Sequence, residues 1–152
     1  MSDFRATAFP AEISMEGFQV VPGLFFSKQV EPTMTIWSNA IAFNTMCFSA
    51  LNDCGSIQLM VNGRDRKVVV IPCQSKDKDA VAWSRPTGKQ TYRKIDCARF
   101  AQQLFDIWGL KKEYHYRVSG KVVSADNRIM LMFDFSAPEK WQGQRLVTTI
   151  GE

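Results

Sequence analysis

Tyr92-Arg-Lys-Ile-Asp-Cys-Ala-Arg-Phe-Ala-Gln-Gln-Leu-Phe-Asp-Ile-Trp-Gly109 is the stretch whose reading decides the fold. Asp96 offers a cap for the exposed amides of a helix, and its charge suits the positive end of the helix dipole. Phe100, Leu104, Ile107 and Trp108 recur at spacings of four, three and one, an apolar stripe at helical period. Gly109 ends it. The spacing predicts a helix over 97–108, entered from a strand over Tyr92–Ile95. A hairpin over Tyr114–Phe135 follows. It alternates Tyr114, Tyr116 and Val118 outward, then Ile129, Leu131, Phe133 and Phe135 on the return, around a turn at Ala125-Asp126-Asn127.

The same order occurs upstream. Ile41-Ala42-Phe43 reads as a strand, and Asn44 or Thr45 caps a helix over 45–52. Phe48 and Leu51 share one face of that helix, and Asn52-Asp53-Cys54-Gly55 ends it. The hairpin Ser56–Pro72 sets Ile57, Leu59 and Val61 on one face and turns at Asn62-Gly63, a pair tolerant of positive φ. Its return strand, Lys67-Val-Val-Val-Ile-Pro72, is too apolar to be wet on one face, which predicts a central position covered on both sides.

These readings predict an α+β class: a β-rich single domain of two tandem strand–helix–hairpin units, 40–72 and 91–135, joined by a basic linker over 74–90. One such hairpin cannot bury both its faces alone, so two copies are expected to close on each other as a pseudo-dimer. Residues 1–17 read as an irregular arm, 18–141 as the domain and 142–152 as a flexible tail. Gly17–Ser27 reads as a strand, a Pro-Gly turn and a second strand. Thr33–Trp37 is a further strand, turning at Ser38-Asn39. Ala80–Trp83 reads as a short strand or anchoring turn. Phe25, Phe26, Trp37, Phe43 and Phe48 read as core. The Gly23-Leu-Phe-Phe26 segment reads as an edge for partner capture or for a homodimer.

Composition bounds the function. The 152 residues are 45% hydrophobic and 22% charged, ordinary for a globular protein, and hold no run long enough for a membrane helix. The first residues lack a basic start followed by an apolar block, so a cytoplasmic location is expected. The four cysteines, Cys47, Cys54, Cys73 and Cys97, form no C-x-x-C pair, and His115 is the sole histidine, a poor ligand set for zinc. Asp77 and Asp79 are interleaved by Lys76 and Lys78 and read as a solvated run. No nucleophile elbow, zinc-peptidase, P-loop or dinucleotide pattern occurs, so neither an enzyme nor a cofactor is expected.

The net charge of +4 is unevenly spread. From Arg64 to Arg128 there are fifteen Lys and Arg against seven acids, so that stretch carries +8 and the remainder −4. An anionic partner for the middle is expected, duplex DNA first. The candidate contacts are Arg64, Arg66 and Lys67 at the first hairpin tip, and Arg85, Lys89, Arg93, Lys94 and Arg99 around the linker. Tyr92 is expected to stack on a base or to insert at a groove.

From Ile41 to Pro72 and from Tyr92 to Phe135, the strand–helix–hairpin order resembles the AbrB and MraZ type of swapped-hairpin unit. That resemblance implies two units interlocked into a small barrel that grips DNA with basic residues of one face. The family's Gly-Asp before the hairpin is replaced here by Asp53-Cys54-Gly55-Ser56 and by Lys111-Lys112-Glu113. Separately, Thr35-Ile-Trp-Ser-Asn-Ala-Ile-Ala-Phe-Asn44, Val70-Ile-Pro-Cys73 and Asp77-Lys-Asp-Ala-Val-Ala-Trp83 are similar to an uncharacterised family carried by phages and conjugative elements of Firmicutes. This implies a mobile-element context, with a DNA-binding regulator or accessory factor as the expected role. A phage counter-defence inhibitor of the anti-CRISPR type, acting on a bacterial defence protein, is the alternative.

Overall fold

The computed structural model describes residues 9–22, 31–84 and 93–147. The chain divides into two compact units, residues 1–26 with 149–152, and residues 27–148. In the described part of the first, a turn at Glu16-Gly17 is closed by the Phe18 amide on the Met15 carbonyl at 3.1 Å. Residues 18–22 form no strand, against expectation. The Pro-Gly turn's glycine, the strand expected after it and the edge segment from Gly23 lie outside the described residues.

The second unit is a β-rich domain with a curled antiparallel half-barrel sheet and two helices. Its elements in chain order are β1 (Thr33–Ile36), β2 (Ala40–Phe43), α1 (Thr45–Ala50), β3 (Ser56–Asn62), β4 (Lys67–Cys73), β5 (Val81–Ala82), β6 (Arg93–Asp96), α2 (Ala98–Trp108), β7 (His115–Ala125), β8 (Arg128–Asp134), β9 (Glu139–Gln142) and β10 (Arg145–Val147). The strands follow the order β5-β3-β4-β8-β7-β1-β2-β6, with β9 also on β7 and β10 on β9. β4 lies between β3 and β8, as its unbroken apolar run requires.

β7 joins the two halves of the sheet. Residues 116–119 pair with β1, 115–117 with β9 and 120–125 with β8. The chain therefore peels away from β7 after Asp134 and rejoins it at Glu139. Gly120 sits at the change of partners, where the Phe133 ring lies flat against the strand. A Cβ there would stand 2.5 Å from Phe133 Cε1, so only glycine fits.

Phe43, Phe48, Trp83 and Phe133 form the centre of the core, with Trp83 edge-on to Phe43 and Phe48 at centroid distances of 5.2 and 4.8 Å. Trp83 Nε1 donates to the Cys54 carbonyl at 2.7 Å, which satisfies its polar edge inside. Asn44 caps α1: its Oδ1 accepts from the amides of Cys47 and of Thr33, and its Nδ2 donates to the Glu31 carbonyl. One buried side chain thus ties the helix start to β1.

Several expectations are corrected. Asp96 does not cap α2; it pairs with Ala40 at the end of β6, and Cys97 takes the cap position without a side-chain bond. The buried stripe of α2 is Ala101, Leu104, Phe105 and Trp108, at steps of three, one and three, while Ile107 is 58% exposed. The first hairpin turns through Gly63–Arg66, with the left-handed residue at Arg66 (φ 56°) instead of at Gly63. Asn62 is spent otherwise, exchanging two hydrogen bonds with Asp65. The start of the segment expected as a flexible tail, 142–152, instead forms β10, which closes a hairpin with β9; in it Trp141 pairs with His115 and with Leu146. The Asp126-Asn127 turn is as expected, with both residues at positive φ (51° and 62°). Among the described residues, no helix is long and apolar enough to cross a membrane.

Candidate nucleic-acid interface

The basic residues singled out by sequence fall into two groups. At one tip, Arg64 is 88% exposed and pairs with Asp65 at 3.4 Å. Arg66 and Lys67 are half-buried beside it, and the Arg66 carbonyl accepts from the Phe135 amide. This tip is fixed to the end of α2: Trp108 Nε1 donates to the Gly63 carbonyl at 2.9 Å, and Trp108 stacks on Phe135 at 5.5 Å. Arg99 is exposed in the first turn of α2, close in sequence to Lys94 on β6. The eleven residues of α2 separate the groups by roughly 16 Å at 1.5 Å rise per residue. The backbone of Arg93 pairs with Phe43. Arg85, Lys89 and Tyr92 lie outside the described residues.

Around Lys94 the sheet assembles a set of side chains that sequence reading did not join. Residues opposite one another on neighbouring strands project to the same face. One such row runs Lys94, Ala42, Thr35, Arg117 and Glu139 across β6, β2, β1, β7 and β9. The next begins with Asp96 and Ala40 and continues through Trp37, His115, Trp141 and Leu146. Met34, Ile36, Ile41, Phe43, Tyr116 and Val118 occupy the opposite, core-facing side.

In the second row the rings align. Trp37 and His115 have centroids 5.2 Å apart at 28°, and His115 and Trp141 are 6.3 Å apart at 16°. All three are half-buried, so each keeps part of its surface open. The Lys94 ammonium stands 4.6 Å from the Trp37 centroid, and the Arg117 guanidinium 4.7 Å from that of Trp141. Glu139 Oε1 accepts from Trp141 Nε1 at 3.1 Å and sets the orientation of that indole. Burial first, then the charges of Arg117 and Lys94, hold the His115 imidazole below its ordinary value. It is therefore a neutral ring between two indoles near pH 7.

Trp37 had read as core, yet it is the first ring of this row. Trp141 and Arg117 were not identified as site residues at all. His115 lies on the outward row, stacked between the two indoles. The only available signal was parity: Arg117 and His115 alternate with the core residues Tyr116 and Val118 along β7.

No other chemistry is assembled. Among the described residues, no group of three or more His, Cys, Asp or Glu is placed to hold a metal ion. The four cysteines are free, and burial pushes the Cys47 thiol up to about 12 despite the bonds it makes to Thr33 and Asn44. Comparisons with protein-family models, curated proteins and solved structures give no match.

Proposed function

We propose that this protein is a non-enzymatic nucleic-acid-binding protein, a regulator or accessory factor of a phage or mobile element. The observation that carries this reading is the row of half-exposed aromatic rings with Lys94 and Arg117 held against their faces. Among the described residues the ion pair is Arg64–Asp65, and no carboxylate of those residues stands within 4.0 Å of the Lys94 or Arg117 cation. Their charge stays available to phosphates, and β6 directly follows the basic linker segment with Arg85 and Lys89. The pairings β2–β6 and β4–β8 each join corresponding strands of the two expected units, which supports an internal pseudo-twofold arrangement behind this surface.

Fluorescence anisotropy of labelled DNA at low and high salt tests the reading. Affinity is expected to fall steeply as salt rises. Joint replacement of Arg85, Lys89, Arg93 and Lys94 by Gln is expected to flatten that slope. Absence of binding at low salt, or an unchanged slope in the variant, contradicts it.

A second reading is favoured by a different observation. Phe9, Ile13, Met15, Phe18 and Val20 are each at least 67% exposed within one short segment, an apolar display suited to a protein partner. That reading is the counter-defence inhibitor. Capture of a purified defence nuclease without DNA, resistant to nuclease treatment and lost when Phe9 and Phe18 become Ser, would favour it.

A further inference from the structure

We infer that the nucleic acid taken by the Trp37–His115–Trp141 row is single-stranded, and that its bases stack on the two indoles; this rests on the nucleic-acid reading above. The open rings motivate it: Trp37, His115 and Trp141 are stacked in one row, each keeps part of its surface open, and a cation lies over each indole. A duplex keeps its base faces inside the stack, where rings standing on a sheet cannot reach them. An extended single strand presents its bases with both faces free.

Ala40, Ala42 and Thr35, between β6 and the rings, are at most 5% exposed, so that stretch of the rows is covered and the open part of the surface lies at the rings themselves. Each indole carries one cation over its ring, at 4.6 and 4.7 Å, and is stacked with His115 as well. When a strand arrives, the ammonium of Lys94 and the guanidinium of Arg117 swing to phosphate oxygens, and the vacated ring faces receive bases. The cations act as lids that exchange one anionic or π partner for another, and no bond is made or broken.

Within the rows the indoles contribute stacking, and Lys94 and Arg117 contribute the phosphate contacts on which the salt dependence rests. Replacing the indoles should lower affinity while leaving the salt slope nearly unchanged, the opposite of replacing linker cations.

The test compares a labelled 20-nucleotide single strand, its RNA counterpart and the matching DNA duplex by anisotropy at low salt. The wild-type chain and Trp37→Ala/Trp141→Ala and Trp37→Phe/Trp141→Phe variants are each checked for intact far-ultraviolet dichroism. We expect a single strand, DNA or RNA, to bind more tightly than the duplex. The Ala pair should lose about 5- to 100-fold in affinity for that strand, and the Phe pair should retain most of it. If the Ala pair fails to fold, the Phe pair and the comparison of strand with duplex decide alone. Equal or tighter duplex binding, or full single-strand affinity in a folded Ala pair, overturns this inference and leaves the nucleic-acid reading standing. No binding to any of the three overturns both.

Discussion

Asn44 shows how much one side chain sustains. It is buried, it accepts from two backbone amides on different elements, and it donates to a third site. Asn44→Ala leaves the buried Thr33 amide without its acceptor, while the Cys47 amide keeps the carbonyl of residue 44. The cost expected is about 1–3 kcal/mol, read as a lower urea midpoint at an unchanged m-value. Cys47, next to it, should stay unlabelled by iodoacetamide at pH 8 in the native protein, since a thiol at about 12 holds almost no thiolate there. Rapid native labelling of Cys47 would contradict its placement. His115 gives a pH signature. Its folded-state value lies below the ordinary one of 6.5, so the unfolded chain binds the proton more readily. Stability is complete above about pH 6.5 and declines as pH falls from there toward the folded value. His115→Gln should remove that part of the decline, and an identical pH profile in the variant would refute it.

The elements owe their positions to different kinds of information. α2 was visible in sequence because a helix stripe, a stop glycine and a following hairpin are local signals. Its start was displaced because Asp96 answers to Ala40 across the sheet, a partner far away in the chain. Ile107 read as core by spacing, but Ala101 and Phe105 complete the buried face, and the Ile107 side chain reaches only the exposed Gly63 tip. The β9–β10 hairpin was missed because Trp141 is its main apolar anchor, and its docking strand is the already paired β7. β7 itself predicts a test. In Gly120→Ala the new methyl meets the fully buried Phe133 ring, so about 1–3 kcal/mol of destabilisation is expected. A variant as stable as wild type would mean that β7 does not cross from one half of the sheet to the other against that ring.

For the second unit as a whole, the sequence made the β-rich class and the order of strands and helices legible. It did not make the surface legible. Arg64 and Lys94 look like members of one basic set in a linear reading, yet the two tips they belong to stand at opposite ends of α2. The row joining Lys94, Trp37, His115, Trp141 and Arg117 draws on β6, β1, β7 and β9, and only the pairing register brings them together. It follows that Arg64→Gln/Arg66→Gln should weaken nucleic-acid binding independently of Lys94→Gln, with effects that add in free energy when combined. Strong non-additivity in anisotropy titrations would place the two tips on one contact.

The four tryptophans allow the most direct measurement. Trp83 and Trp108 are buried and donate their indole N–H to backbone carbonyls, whereas Trp37 and Trp141 are half-exposed on the aromatic row. An NMR titration following the four indole N–H resonances while a single-stranded oligonucleotide is added separates the two pairs. The Trp37 and Trp141 resonances should shift in proportion to saturation, and those of Trp83 and Trp108 should stay in place. Saturable binding that leaves Trp37 and Trp141 unmoved would contradict the assignment of this surface.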